Sequence, residues 1–182
     1  MSTTAKLDDL IHTLSVEHKI ISGKCLFKTS LFKYIDLFEF EILKETGHPP
    51  LNLEYLAWEK GPVPVNLNSL IVNGEYDNDN VDLEIIEGNT SEQIKFIPNN
   101  ADYNLDNFSE YEIEKIYDLI DRFATNYRRN TDLINATHEL KSWKKAWHER
   151  RPANKLSEKM YISDEIEHSN EIIKEHFEAV SL

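Results

Sequence analysis

The side chains of widest chemical repertoire in this sequence are seven histidines, a lone cysteine, a run of carboxylates at 110–118, and a polar-aromatic cluster from Thr137 to Trp147. Zinc and other transition metals are usually gripped by ligand pairs close in sequence, as in HxxxH or HExxH. His12, His18, His48, His138, His148, His168 and His176 form no such pair, and Cys25 is the single thiol, so no metal and no other cofactor is expected. Cys25 is followed by Leu26 and Phe27. An isolated cysteine in that setting reads as a small buried hydrophobe rather than a nucleophile. General acid–base work needs carboxylates that share a cleft and titrate apart. Glu110, Glu112, Glu114 and Asp118 lie off the apolar stripe of their helix, which sends them to solvent.

Thr137-His138 followed by Trp143 and Trp147 is the densest cluster of the chain. A catalytic histidine requires a nucleophile and an orienting acid, and the pattern supplies neither. The residues read instead as a latch, with Thr137 and His138 capping a short helix and Trp143 anchoring the next turn in the core. Gly61-Pro62-Val63-Pro64 lacks the several glycines and the lysine of a phosphate loop. It reads as a rigid turn that closes the helix at 51–60, where a β-branched residue in place of Gly61 destabilises if φ there is positive. No enzyme is expected from these parts.

The elements that must position them follow from periodicity. Leu7, Leu10, Ile11 and Leu14 predict an amphipathic helix over 6–17 with Asp8, Asp9 and Glu17 outside. A wider apolar surface over 29–46 predicts a central helix, which Gly47-His48-Pro49-Pro50 ends. Residues 51–60 predict a third helix packed through Leu53, Leu56, Ala57 and Trp58. VDLEII at 81–86 and QIKFIP at 93–98 alternate around Glu87-Gly88-Asn89-Thr90 and predict a small hairpin. Ser109 and Glu112 have capping-box spacing, and Phe108 and Ile113 that of a hydrophobic staple. The helix they open runs to about Tyr127 with Ile113, Ile116, Tyr117, Ile120, Ala124 and Tyr127 inward. Short helices at 131–137 and 140–148 and a last helix from Ser163, carrying Ile166, Ile173 and Phe177, complete the reading. The expected fold is mainly α, a single compact helical domain with a small β-hairpin, whose core includes Leu31, Ile35, Phe38, Ile116, Ile120 and Trp143.

The 182 residues, 40% of them hydrophobic, suffice for a core without crosslinks. One cysteine points to a reducing compartment, and the N-terminus lacks the pattern of a secretory signal. A cytoplasmic protein without membrane insertion is the expectation. The formal charge of −13 is uneven: residues 61–127 carry 14 acidic against 3 basic groups, while 128–156 carry 3 against 8. An acidic block of that size repels a phosphate backbone, so nucleic acid is an unfavoured partner despite the basic stretch.

Tyr55-x-x-x-x-x-Gly61-Pro62-Val63, preceded by the aromatic helix SLFKYIDLF and followed by Thr137-His138-x-x-x-x-Trp143, resembles the Panacea domain of SocA-like antitoxins and phage-associated proteins. The similarity covers about 7–148, with 149–182 as a C-terminal helical elaboration. Phe32-Lys33-Tyr34-Ile35 replaces a leucine- and tyrosine-rich run common in the family, and Lys141-Ser142 stands where a proline often precedes the tryptophan. The resemblance implies an antitoxin that neutralises a cognate protein toxin by direct binding, in some members handing it to a protease. The alternative is a non-catalytic phage or mobile-element accessory module that binds protein; self-association is compatible with either. Trp58, Gly61, Pro62, Val63, Thr137, His138 and Trp143 fall on the family's motifs. The partner surface is expected first along Trp58 to Val65 and next at Lys144, Arg150 and Arg151.

Overall fold

The computed structural model describes residues 3–87, 92–125, 131–166 and 171–180. The turn at 88–90, Tyr127 and His168 therefore lie outside the described residues. The fold is mainly helical with two small three-stranded sheets, and among the described residues no helix is long and apolar enough to cross a membrane. The chain divides into two compact units, the boundary falling after Ile35.

The first unit comprises the residues up to Ile35 together with Tyr76–Leu133. Helix α1 (Thr3–Ser22) is longer than the predicted 6–17. Beyond the stripe of Leu10, Ile11 and Leu14 it also buries His12, Thr13, Ser15 and His18. Three of them have partners: His12 Nε2 lies 3.2 Å from the Asn100 carbonyl, Thr13 Oγ1 donates to the Asp9 carbonyl, and His18 Nδ1 lies 3.1 Å from the Tyr34 hydroxyl. Strand β1 (Leu26–Phe27) leads into α2 (Lys28–Thr46), whose first turns belong to this unit. The hairpin forms as β4 (Val81–Glu87) and β5 (Glu92–Pro98), antiparallel from Val81 opposite Pro98 to Glu87 opposite Glu92. β1 pairs with the far side of β5, placing β4 at the edge in the order β1-β5-β4. The capping box opens α4 (Glu110–Ala124), with Ser109 and Glu112 bonding reciprocally. Leu31, Ile35, Ile116 and Ile120 are buried here. Tyr117 is not inward; Leu119 fills the stripe instead, and the Tyr117 hydroxyl meets that of Tyr103 at the surface. Glu112 is buried rather than solvated, because the cap and an ion pair with Lys6 hold it.

The second unit comprises Asp36–Glu75 and the residues from Ile134 onward. The latter half of α2 buries Asp36 and Glu39 beside Phe38, Phe40 and Leu43. Glu39 accepts from the backbone N–H groups of Leu51 (2.7 Å) and Leu53 (3.1 Å). With Asn52 in the left-handed region at φ 51°, those bonds preclude the helix predicted over 51–60. What forms is a hairpin, β2 (Tyr55–Trp58) and β3 (Gly61–Pro64), in which Tyr55 and Ala57 alternate inward. Helix α3 (Val65–Asn73) follows. Helix α5 (Thr131–His138) opens in the first unit and ends in this one. Helix α6 (Lys141–Lys144) continues as a π-helical stretch through Arg150. Strand β6 (Glu158–Lys159) completes the second sheet in the order β3-β2-β6. The predicted helix from Ser163 is described as α7 (Ser163–Ile166) and α8 (Glu171–Val180). Phe40, Leu43, Tyr55, Ala57, Leu140, Trp143, Ala146, Met160 and Ile166 form the core, and Leu53, Trp147, Ile162, Ile173 and Phe177 pack against it. Gly47 ends α2 at φ 75°, and a Cβ built there would lie 2.5 Å from the Ile173 carbonyl, so α8 rests backbone to backbone on that cap. His176 Nδ1 sits 2.7 Å from the Thr46 carbonyl beside it.

Candidate functional site

Trp58 to Val65, Thr137, His138, Trp143, Lys144, Arg150 and Arg151 belong to the second unit, while the aromatic helix that precedes them begins in the first. Two residues, Glu59 and Lys60, connect β2 to β3, with Trp58 paired to Gly61 across the turn. Gly61 lies at a positive φ of 99°, but it follows the turn of a hairpin rather than closing a helix over 51–60. Glu59 and Lys60 have no positive φ; the left-handed angle falls on the glycine that follows the two turn residues, a position that a side chain penalises. Pro62 and Pro64 alternate along β3, so only Gly61 and Val63 can donate to β2. Gly61 and Pro62 are buried, Val63 and Val65 are half-buried, and the Trp58 ring is 44% exposed.

Trp143 ties the second motif to the first. It is buried in α6, and its Nε1–H donates to the Trp58 carbonyl at 3.0 Å. His138 stacks on one indole face at 4.0 Å with planes 11° apart, Trp147 lies parallel at 6.0 Å, and His148 meets it edge-on. The Arg151 guanidinium covers Trp147 at 3.9 Å, a cation–π contact. Thr137 is buried, and its hydroxyl donates to the Ile134 carbonyl. Thr137, His138 and Trp143 thus form a latch around the α5–α6 junction.

Two buried carboxylates that periodicity cannot reveal complete this arrangement. Glu165, 2% exposed, accepts from the backbone N–H of Lys141 (3.1 Å) and Ser142 (2.7 Å), capping α6 from a distant segment. Asp164 receives both terminal nitrogens of Arg150 at 2.5 and 2.9 Å, and Lys145 lies 3.5 Å away. Burial alone would raise the Asp164 carboxyl; the Arg150 bonds and the Lys145 charge outweigh it and hold it below the ordinary range. Lys144 is paired with Glu139 at 2.6 Å. The three predicted cations accordingly have internal partners, whereas the Trp58 ring faces solvent. The single sequence hint was a basic run at 141–151 followed by acids at 164–165.

Chemically, the site offers an apolar ring on a stiff hairpin backed by stacked aromatics. Tyr55, also buried here, has its phenol pushed well above the usual value by burial and by Glu39 and Asp36, so it stays protonated. Among the described residues no group of three His, Cys, Asp or Glu side chains is arranged to hold a metal ion. In the first unit Cys25 is half-buried with a free thiol. Of the carboxylates on α4, Glu110, Glu114 and Asp118 are exposed, and Asp118 pairs with Arg122.

A family model described as antitoxin SocA-like, Panacea domain, matches residues 31–144, more than half of the chain. The match takes in Trp58 to Val65 and extends through Trp143. No curated protein and no solved structure is matched.

Proposed function

The chain belongs to the SocA-like antitoxin family that carries the Panacea domain, a non-catalytic, protein-binding class, and from that premise we propose that it neutralises a cognate protein toxin by binding it directly. The observation that carries this reading is the exposed Trp58 ring on a hairpin whose backbone is fixed by Gly61, Pro62, Pro64 and the Trp143 bond. Binding energy at protein interfaces concentrates in a few aromatic or arginine anchors. An anchor whose backbone is already ordered loses less entropy on docking. Occlusion of a toxin's substrate site then inhibits without chemistry. The acidic charge of the chain favours encounter with a basic partner surface.

The test is co-expression of the adjacent gene with the wild-type chain and with Trp58→Ala and Val63→Asp variants shown by circular dichroism to fold. Loss of both rescue and co-purification in the folded variants supports neutralisation through this hairpin. Toxin abundance, followed in the same cells, separates occlusion from delivery to a protease. A harmless neighbour, or rescue without any physical complex, transfers the assignment to the accessory protein-binding alternative.

A further inference from the structure

Two outer strands, β3 of one sheet and β4 of the other, present opposite kinds of edge. The outer edge of β3 carries Pro62 and Pro64, which have no N–H to offer, so it cannot template another strand. Strand β4 has neither proline nor glycine, runs for seven residues, and is hydrogen-bonded on one side only, to β5. Among the described residues no strand pairs with its other side. Asp82, Glu84, Ile85 and Glu87 are exposed there, Ile85 at 65%. Alternate backbone N–H and C=O groups of an edge strand point away from its neighbour and accept pairing.

We propose that this edge of β4 is an interaction surface that takes up an extended segment of a protein partner as a fourth strand, the segment alternating apolar residues with lysine or arginine. The existing ladder displays the required chemistry. Opposite β4, β5 presents Phe96 to Leu83, Ile94 to Ile85, and Lys95 to Glu84, with the Lys95 ammonium 3.1 Å from the carboxylate. An incoming strand meets the same template from the other side, with Asp82 and Glu84 to neutralise on one face and Leu83 and Ile85 to cover on the other. A second copy is the wrong occupant, because β4 carries three acids and no base. Pairing it with itself would set carboxylates against carboxylates, and like charges across a strand pair destabilise it. This surface lies in the first unit, apart from the Trp58 hairpin in the chain's division, and does not depend on the toxin-neutralising reading.

The probe is an acetylated, amidated heptapeptide of alternating lysine and valine, titrated into the full chain, with a glutamate–valine peptide as its counterpart. The expected result is saturable binding of the lysine peptide accompanied by new amide-exchange protection within Val81–Glu87. Asp82→Lys leaves the Glu84–Lys95 bridge in place and should weaken that peptide about fivefold while admitting the glutamate peptide. Asp82→Asn, giving a smaller shift in the same direction, serves if the lysine variant loses structure. Binding without protection of β4 amides, protection unaffected by charge reversal, or a dimer already protected at β4 without peptide would each overturn the proposal.

Discussion

Trp143 is the side chain on which the second unit should depend most visibly. It is 4% exposed, packs against His138 and Trp147, and supplies the hydrogen bond to the Trp58 carbonyl. Truncation to alanine removes nearly the whole indole and leaves a void that neighbours fill only in part, a change that costs about 3–5 kcal/mol. Trp143→Phe keeps an aromatic ring but loses the donor. The bond alone is worth about 1 kcal/mol, and the missing part of the ring adds about 1–2 more. The two variants should therefore fall in order, with phenylalanine at about half the alanine cost. Urea unfolding followed by far-ultraviolet circular dichroism reads both without relying on the fluorescence of the deleted indole. A loss below about 1 kcal/mol for Trp143→Ala would mean that the latch is not what holds this unit together.

Burial and the nearby Lys24 charge push the His18 imidazole down to about 4 from an ordinary 6.5. The unfolded chain takes up this proton first, so the contribution is full above about pH 6.5 and is lost as pH falls toward 4, by about 3 kcal/mol. Asp8, raised to about 6 mainly by burial, acts in the opposite sense, losing stability as pH rises through 6, so the His18 effect should be read as the difference from His18→Gln. An imidazole NMR titration with its midpoint near 6.5 would contradict the buried neutral ring. Glu165→Gln replaces an acceptor facing two N–H groups by a group that can turn a donor toward them and should cost about 2–3 kcal/mol in denaturant unfolding; a cost near zero would remove its capping role. Gly47→Ala should accelerate amide exchange along Glu171–Val180 by displacing α8, and unchanged exchange would show that the cap relaxes freely.

Much of the helical framework was legible because its signals are local. The Ser109–Glu112 box, the wide stripe of α2 and the glycine at 47 each act over a few residues, and each appears where periodicity placed it. The segment 51–60 misled because leucine, alanine, glutamate and lysine favour helix by propensity, while tertiary bonds to Glu39 and the left-handed Asn52 decide the outcome. Tyr117 misled because an amphipathic phenol can lie along a helix and keep its hydroxyl wet. Strands β1 and β6 are two residues each, too short for any alternation to declare them. At the candidate site, the Gly61-Pro62-Val63-Pro64 corner could be read in advance, though as the end of a helix rather than the turn of a hairpin. The neutralisation of Arg150 by Asp164 and of Lys144 by Glu139 could not, because pairing among charged side chains depends on which faces the fold brings together.

The capping of α6 by Glu165 also bears on where this protein begins and ends as a folding unit. The family match stops at residue 144, yet the N–H groups of Lys141 and Ser142 are satisfied from beyond it, and Met160 and Ile166 stand in the same core as Trp143. A fragment trimmed to the matched span would keep the recognisable residues and lose what closes over them. Similarity measures what relatives share, whereas cooperativity depends on what each chain needs to complete itself. A shortened version that failed to bind would therefore report on a missing buttress as well as on the loss of Arg150 and Arg151.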